Sequence, residues 1–229
     1  MYFSAGRIIF ALRMVTNLSD ANSLLCLWIR ELRDTNIQTD RMRFRRNMER
    51  IGEIAAYEIS KTFSYEDIQV PTPMGEAACL QLVQQPVLAT ILRAGVPLHQ
   101  GIFNYFDQAD AAFVAAYRKH NRDGSFEIKQ EYAVCPGLDG RPLIIADPML
   151  ATGASLALAI ESLLENGQPS SIHIVAAIAS TEGIEYITRR FPEAYIWTGA
   201  IDEELTARGY IVPGLGDAGD LSYGNKNQS

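Results

Sequence analysis

The hydrophobic pattern changes near residue 86. Upstream, residues 20–65 carry apolar positions at helical spacing, which predicts helices over that stretch. Downstream, short apolar runs alternate with helical stretches. The runs are residues 87–92, 111–117, 142–146, 172–179 and 195–201. Such nearly continuous apolar runs are typical of strands that are covered on both faces of a sheet.

Helical stretches separate the later runs. Residues 156–166 read as a helix closed by Gly167, with Pro169 beyond it, and residues 182–191 read as another. Strands that alternate with helices predict an α/β fold, with a mainly parallel sheet flanked by helices. We expect one domain over residues 1–229: an N-terminal helical part at about 20–65, an α/β core at 86–205 and a C-terminal segment at 206–224.

Three charged residues stand where the predicted strands end. Arg93 and Arg118 follow the first two runs, and Asp147 follows the third. Ligands of parallel sheets gather at the carboxyl ends of the strands. The pattern therefore predicts a site at this edge that contains both arginines and the aspartate.

Residues 119–135 interrupt the alternation. Asp123-Gly124 is a hairpin turn signal with polar flanks on both sides. The segment is either an exposed hairpin or a mobile flap over a site near Arg118, and we favour the flap.

Composition narrows the class of protein. The chain has 229 residues with 48% apolar and 21% charged composition, and its net charge is −7. An acidic chain is a poor match for a nucleic-acid surface, whereas a small anionic ligand needs only a few local cations and backbone amides. The three cysteines are scattered without metal-ligand spacing, which fits a reducing, cytoplasmic location, and no apolar run reaches the length of a membrane span.

A basic cluster precedes the α/β part. It consists of Arg41, Arg43, Arg45, Arg46 and Arg50. We favour a solvated or subunit-contact helix face, and keep a nucleotide effector site as the second hypothesis. Apolar helical faces outside the α/β pattern also predict a homo-oligomer, since such faces need a partner.

The strongest motif follows the third run. Asp147 ends the strand, a loop of small and hydroxyl residues follows, and a helix then begins. The loop continues as Pro148, Met149, Leu150, Ala151, Thr152, Gly153, Ala154 and Ser155. Amides at a helix start attract phosphate, glycine permits close approach, and the carboxylate suits ribose hydroxyls. Ordinary capping by Ser155 is the simpler alternative.

Two other phosphate motifs are absent from the sequence. No GxxxxGK[ST] motif of a nucleoside-triphosphate loop is present, and no GxGxxG follows the first predicted strand. The loop at 147–155 is therefore of a different kind.

This loop resembles the phosphoribosyl-pyrophosphate loop of type I phosphoribosyltransferases. Its Asp-Pro-Met-Leu-Ala-Thr-Gly run is similar to that of the uracil phosphoribosyltransferase family. Residues 91–95, 116–118 and 209–220 resemble that family's pyrophosphate loop, Tyr-Arg site and base-binding segment, in the same order. The resemblance covers about residues 20–224. Ala154 and Leu221 depart from it, where many members have a second glycine and a basic residue.

The resemblance implies transfer of a phosphoribosyl group from 5-phosphoribosyl 1-pyrophosphate to uracil, giving UMP. Arg93 and Arg118 would bind pyrophosphate, since guanidinium forks match its oxygens. Mg²⁺ would be held mainly by the substrate and water. The family's base contacts map onto Ile211, Gly216, Asp217 and Ala218, with Asp217 also reaching the phosphoribosyl substrate and Tyr210 as a wall of the pocket. A phosphoribosyltransferase for another base, or a nucleotide-sensing RNA-binding regulator on the same fold, remains as an alternative.

Overall fold

The computed structural model describes residues 14–120 and 126–225, and for residues 116–120 and 126–131 it describes the backbone alone. The helices are α1 (Leu24–Arg33), α2 (Arg41–Ser60), α3 (Val96–Phe103), α4 (Ala154–Leu164), α5 (Thr181–Arg190) and α6 (Ala218–Tyr223). The longer strands are β2 (Tyr65–Thr72), β3 (Gly75–Leu82), β4 (Val87–Leu92), β5 (Asp110–His120), β6 (Phe126–Val134), β7 (Pro142–Ala146), β9 (Ser171–Ala176) and β11 (Tyr195–Thr198). The short strands are β1 (Val15–Asn17), β8 (Met149–Leu150), β10 (Ile178–Ser180), β12 (Ile201–Asp202), β13 (Glu204–Leu205) and β14 (Ile211–Val212).

The main sheet confirms the predicted α/β architecture. Within the described residues its strand order is β1-β11-β9-β7-β4-β5-β6. Every pair is parallel except β5 and β6, which are antiparallel at the edge. The carboxyl ends of the parallel strands therefore share one edge of the sheet.

Helices cover both faces of this sheet. Leu88 and Ile144 point into a core with α1, α2 and α3, while Val87, Leu143 and Ile145 point into a second core with α4 and α5. Alternate residues of one strand thus enter opposite cores, which explains why the strand runs are apolar throughout.

Two predicted strands are each broken in two. The run at 172–179 forms β9 and β10, and the run at 195–201 forms β11 and the start of β12. At the first break, the carbonyl of Pro148 accepts hydrogen bonds from the amides of Ala177 and Ile178, both at 3.1 Å. Strands β8, β10 and β12 then form a separate parallel sheet beyond the main one. Apolar content does not reveal such breaks, because both halves of each run are buried.

A long hairpin was missed by the sequence pattern. Strands β2 and β3 pair antiparallel along their whole length and expose most of their residues. The hairpin lacks one buried face, so it carries no clear alternation of apolar and polar positions.

Residues 20–65 form helices as predicted, but the reason given for a homo-oligomer, that their apolar faces lack a partner, is wrong. The helices themselves are confirmed, but their apolar faces are covered by the same chain: Leu25, Ile29 and Phe44 belong to the core with α3. Where α2 crosses α3, a Cβ on Gly101 would lie 1.9 Å from the carbonyl oxygen of Glu49. These faces therefore do not need a partner subunit. In the part of the chain that is described, no helix has the length and apolar character to cross a membrane.

Candidate active site

Neighbouring strands bring two of the predicted site residues together. Strand β4 runs parallel to β7, with Val87 opposite Leu143 and Thr90 opposite Ala146. Arg93 and Asp147 consequently start adjacent loops at the same edge, and the Leu92–Arg93 peptide bond is cis. Both residues therefore lie at the same edge of the sheet, and their role in a ligand site stays a prediction.

Arg118 lies on the next strand along this edge. Strand β5 pairs with β4 only up to Ala115, and its remaining residues pair with β6, with Arg118 opposite Ile128. The β5–β6 ribbon therefore extends beyond the parallel sheet at the site edge. The side chain of Arg118 and the turn at 121–125 lie outside the described residues, and the flap role stays a prediction.

The loop at 147–155 joins β7 to α4. Asp147 is half-buried, and its Oδ1 accepts a hydrogen bond from the amide of Met149 at 3.3 Å. Thr152 Oγ1 accepts from the amide of Ala154 at 3.4 Å. Gly153 is the N-cap of α4, has a φ of 78° and makes no side-chain cap hydrogen bond. Ser155 therefore lies inside the helix, so the alternative that it caps the helix is wrong.

Helix α5 supports this loop from behind. Ser180 is buried; its hydroxyl donates to the carbonyl oxygen of Ala151 at 2.5 Å and accepts from the amide of Gly183 at 2.9 Å. A Cβ on Gly183 would lie 2.2 Å from the same carbonyl oxygen, and one on Gly153 would lie 2.9 Å from Tyr186. The backbone of the loop is thus fixed by contacts with α5.

The C-terminal segment contains a small antiparallel pair and a short helix. Strand β13 pairs with β14, and Ile211 of β14 is buried. Asp217 is the N-cap of α6, and its Oδ1 accepts from the amide of Asp220 at 2.9 Å. Gly216 has a φ of 96°, and the nearest described neighbour that a Cβ there would meet is Leu221, at 3.9 Å. The path of the segment at residue 216 is therefore set by backbone conformation rather than by crowding.

Arginines from elsewhere in the chain hold α6 against the sheet edge. Arg93 donates to Asp220 Oδ1 at 3.3 Å and to the carbonyl of Gly224 at 3.5 Å. Arg45 donates to the carbonyl of Ser222 at 2.7 Å. Burial raises the pKa of Tyr223, and the nearby guanidinium of Arg45 opposes that shift. These contacts place the C-terminal segment next to the loop of Arg93.

A second tie holds the middle of the segment. Arg33 of α1 makes a bidentate ion pair with Asp202, with distances of 2.8 and 2.7 Å. Asp202 Oδ2 also accepts from the amide of Gly214 at 2.9 Å. Asp202 ends β12, and Glu204 begins β13. In the sequence, Asp202 follows an apolar run just as Asp147 does.

The described candidate residues thus lie around one edge of the sheet. Arg93 and the loop at 147–155 follow neighbouring strands, and the segment with Tyr210, Ile211, Gly216, Asp217 and Ala218 is tied to them. Tyr210 is half exposed, whereas Ile211 and Ala218 are buried. Sequence reasoning missed the supporting residues Arg33, Ser180, Gly183 and Asp202.

Comparisons with known proteins agree with this arrangement. A family model described as uracil phosphoribosyltransferase matches residues 20–225. The uracil phosphoribosyltransferase of Porphyromonas gingivalis is 51% identical over 213 residues, covering 93% of this chain and 99% of that protein. That of Pyrobaculum arsenaticum is 39% identical over 195 residues, covering 84% and 91%. The solved structure of the AQ2163 protein from Aquifex aeolicus is 32% identical, with a TM-score of 0.81 over 92% of this chain and 98% of that one. The chain belongs to the uracil phosphoribosyltransferase family.

Proposed function

We propose that the enzyme transfers the phosphoribosyl group of 5-phosphoribosyl 1-pyrophosphate to uracil. The bond between ribose C1 and pyrophosphate breaks, a bond from C1 to N1 of uracil forms as N1 loses its proton to solvent, and UMP and pyrophosphate are released. The observation that carries the proposal is the contact of Arg93 with Asp220, because it joins the pyrophosphate loop to the base-binding segment. Both substrates can then meet at one sheet edge.

The 5-phosphate is assigned to the loop at 147–155. Gly153 caps α4 without a side-chain acceptor of its own, and beyond the amide of Ala154, which donates to Thr152 Oγ1, amides at the helix start can bind an anion. The positive end of the helix dipole favours a phosphate at that point. Thr152 and Ser155 are half-buried and supply hydroxyl groups beside it. Backbone amides and hydroxyls thus provide the phosphate site.

Asp147 is assigned to the ribose hydroxyls. Its carboxylate stands at the end of β7 and is half-buried. One oxygen already accepts the amide of Met149, which fixes the carboxylate in position. A fixed carboxylate can accept hydrogen bonds from two neighbouring hydroxyls and hold C1 in line with the base.

Pyrophosphate is assigned to Arg93 and Arg118. Negative charge grows on the leaving group as the bond to C1 breaks, and guanidinium groups stabilise that charge. Arg93 is partly exposed at the edge, with Asp220 as its present partner. It would exchange this carboxylate for pyrophosphate oxygens when the substrate binds.

Magnesium is the proposed cofactor. Mg²⁺ would be held mainly by oxygens of the phosphoribosyl pyrophosphate and by water, since this ion usually keeps several waters and binds substrate phosphates. The bound ion would neutralise part of the pyrophosphate charge. The residues of the chain would meanwhile bind and orient the ribose, the phosphate and the base.

Uracil is assigned to the C-terminal segment. Backbone groups of Ile211, Gly216 and Ala218 would read its alternating donors and acceptors, and Asp217 would reach both base and ribose. Asp217 is already oriented by its bond to the amide of Asp220. Tyr210, half exposed beside Ile211, would form a wall of the pocket.

A coupled assay tests the function directly. Purified enzyme with uracil, phosphoribosyl pyrophosphate and magnesium chloride should form UMP and pyrophosphate in equal amounts. Adenine, hypoxanthine and orotate in place of uracil serve as controls for another base. Formation of another nucleotide at a higher rate than UMP would contradict the proposal.

We also propose a homo-oligomer of at least two copies. A two-stranded hairpin is marginally stable by itself in water. The β2–β3 hairpin nevertheless projects with Met74 96% and Leu80 69% exposed. Exposed Leu24 and Met42 add apolar surface on α1 and α2. A second copy would cover these residues, and a monomer in light scattering at micromolar concentration would contradict this.

We also propose a single domain and a cytoplasmic location, and we weigh an effector site at the basic cluster against a structural role. Among the described residues the cysteines are free, as expected in a reducing compartment. In the basic cluster, Arg43 pairs with Glu31, and Arg46 pairs with Glu49 and Glu53. A nucleotide such as GTP would have to displace these carboxylates, so we favour a structural role for the cluster.

A further inference from the structure

The base-binding segment is tied to a distant part of the fold through one glycine. Gly214 donates its amide hydrogen to Asp202 Oδ2 at 2.9 Å, and its carbonyl accepts from Arg33 Nη1 at 3.1 Å. Both backbone polar groups of one residue are therefore used by one ion pair. Gly214 itself lies between Ile211 and Gly216, two residues assigned to uracil.

The ion pair of Arg33 and Asp202 has a restricted geometry. Asp202 is 7% exposed, and both of its oxygens are bonded to the guanidinium of Arg33. A bidentate pair between a planar guanidinium and a carboxylate restricts orientation as well as distance. Its two components come from α1 and from the end of β12, both outside the C-terminal segment at 206–224.

Gly214 has little freedom to follow another path. Its φ is 57°, and a Cβ there would lie 2.2 Å from the carbonyl oxygen of Ile211. The turn is closed tightly on Ile211, three positions earlier in the chain. A shift of Gly214 would therefore be transmitted to Ile211 on one side and to Gly216 on the other.

We propose that Arg33 and Asp202 are positioning residues for uracil. They hold Gly214, and through it they hold the backbone groups that read the base. This inference rests on the proposed function, since it concerns the uracil site of that reaction. It assigns base binding partly to α1, a helix that contributes no residue to the strand-end loops.

Loss of the Arg33–Asp202 ion pair should weaken the binding of uracil and leave the binding of phosphoribosyl pyrophosphate largely unchanged. The loop at 147–155 is held by the hydroxyl of Ser180 and by the packing of Gly183 against Ala151, contacts in which the side chains of Arg33 and Asp202 take no part. Loss of the pair should raise the KM for uracil at least tenfold. The Kd for phosphoribosyl pyrophosphate should stay within about twofold, and kcat at saturating uracil within about threefold.

The test uses Arg33→Lys and Asp202→Asn. Lysine keeps the charge but lacks the second arm of the fork, and asparagine keeps the shape but presents an amide where Asp202 has an acceptor. Arg33→Lys is the milder change, and its KM for uracil tests the positioning role if Asp202→Asn does not fold.

Arg141→Lys is the matched control. Arg141 is 19% exposed against 24% for Arg33, and it likewise binds one carboxylate, Asp110, together with backbone carbonyls. It lies at the opposite edge of the sheet, before β7. The control should lose about as much thermal stability as Arg33→Lys while retaining the wild-type KM for uracil.

The outcomes separate the inference from the function on which it rests. A tenfold or larger rise in uracil KM for Arg33→Lys, absent from Arg141→Lys, supports the positioning role. A folded Arg33→Lys with wild-type uracil KM overturns it, as does an equal rise in the control. A wild-type enzyme that binds phosphoribosyl pyrophosphate but makes no UMP overturns the proposed function instead.

Discussion

The two halves of the candidate site are built in different ways. The half that we propose binds the phosphoribosyl group, the phosphoribosyl half, consists of loops that follow strands of the main sheet, and contacts with the neighbouring α5 fix its backbone. The base half is a segment with little regular structure, which side chains from distant positions hold in place: Arg33, Arg45, Arg93 and Asp202.

This difference has a physical cause. A strand–loop–helix unit buries its backbone polar groups by forming its own secondary structure. An irregular segment must find partners elsewhere, and charged side chains supply them at the cost of desolvation. The base half should therefore be more sensitive to distant substitutions than the phosphoribosyl half.

Asp147→Asn should have the largest effect. It removes the charge that we propose accepts hydrogen bonds from ribose, each worth about 1.5–3 kcal/mol, so kcat/KM should fall by at least about a hundredfold. Steady-state kinetics and a thermal melt of the variant measure the change. The fold should stay intact, because the side chain lies at the sheet edge. Asp107→Asn is the control, because Asp107 is an exposed carboxylate at the opposite edge of the sheet. Near-normal turnover of Asp147→Asn would show that Asp147 does not bind ribose.

Protonation of a buried histidine in the main sheet should destabilise the whole fold, and with it both halves of the site. His173 is buried on β9, stacks on Tyr195 and accepts a hydrogen bond from Trp197 Nε1. Burial lowers its pKa to about 4, below the ordinary value of 6.5. Between those pH values the unfolded chain binds a proton that the folded chain does not. The free energy of unfolding should therefore fall as the pH drops through this range, by about 2 kcal/mol at pH 5.

Urea unfolding at pH 7.5 and pH 5.0 measures this dependence. His173→Gln keeps an acceptor for Trp197 but cannot titrate, so the difference between the two pH values should shrink. Part of it should remain, since burial also lowers the pKa of His99. An unchanged difference in the variant would show that His173 is not its source.

Two glycine substitutions should separate the halves. In Gly183→Ala the new Cβ would meet the carbonyl of Ala151, and overpacking of this kind costs about 1–3 kcal/mol. The KM for phosphoribosyl pyrophosphate should rise by about tenfold or more, with a smaller effect on uracil. Gly216→Val should raise the KM for uracil more than the KM for phosphoribosyl pyrophosphate, because the φ of 96° at this position disfavours a β-branched residue.

Gly140→Val is the control for the second substitution. Gly140 also has a positive φ, 69°, and a Cβ there would meet no described atom within 4 Å. It lies before β7 at the far edge of the sheet. The variant should lose stability without a change in either KM. Full uracil activity in Gly216→Val would place the base elsewhere.

Base preference is the smallest expected effect. Cytosine reverses the donor and acceptor pattern at one edge, and each buried group left unpaired costs about 1–3 kcal/mol. The enzyme should prefer uracil over cytosine by at least about tenfold in kcat/KM. Competition between the two bases measures it. Equal use of both would contradict reading by backbone groups of residues 211–218.

The sequence by itself determined the α/β fold and the position of Arg93 and Asp147 at the ends of two strands. Continuous apolar runs define β4 and β7, and a polar residue at each strand end marks Arg93 and Asp147, because both signals are local along the chain. The resemblance of residues 209–220 to the family's base-binding segment was also visible in the sequence.

Only the tertiary structure decided how the base half is held. Arg33 and Asp202 are separated by 169 positions, and α1, β12 and the segment at Gly214 meet only after the sheet has formed. The break at Ala177 likewise depends on the carbonyl of Pro148 in a neighbouring chain segment. Such contacts are invisible to periodicity, since the residues that satisfy one another's hydrogen bonds share no sequence neighbourhood.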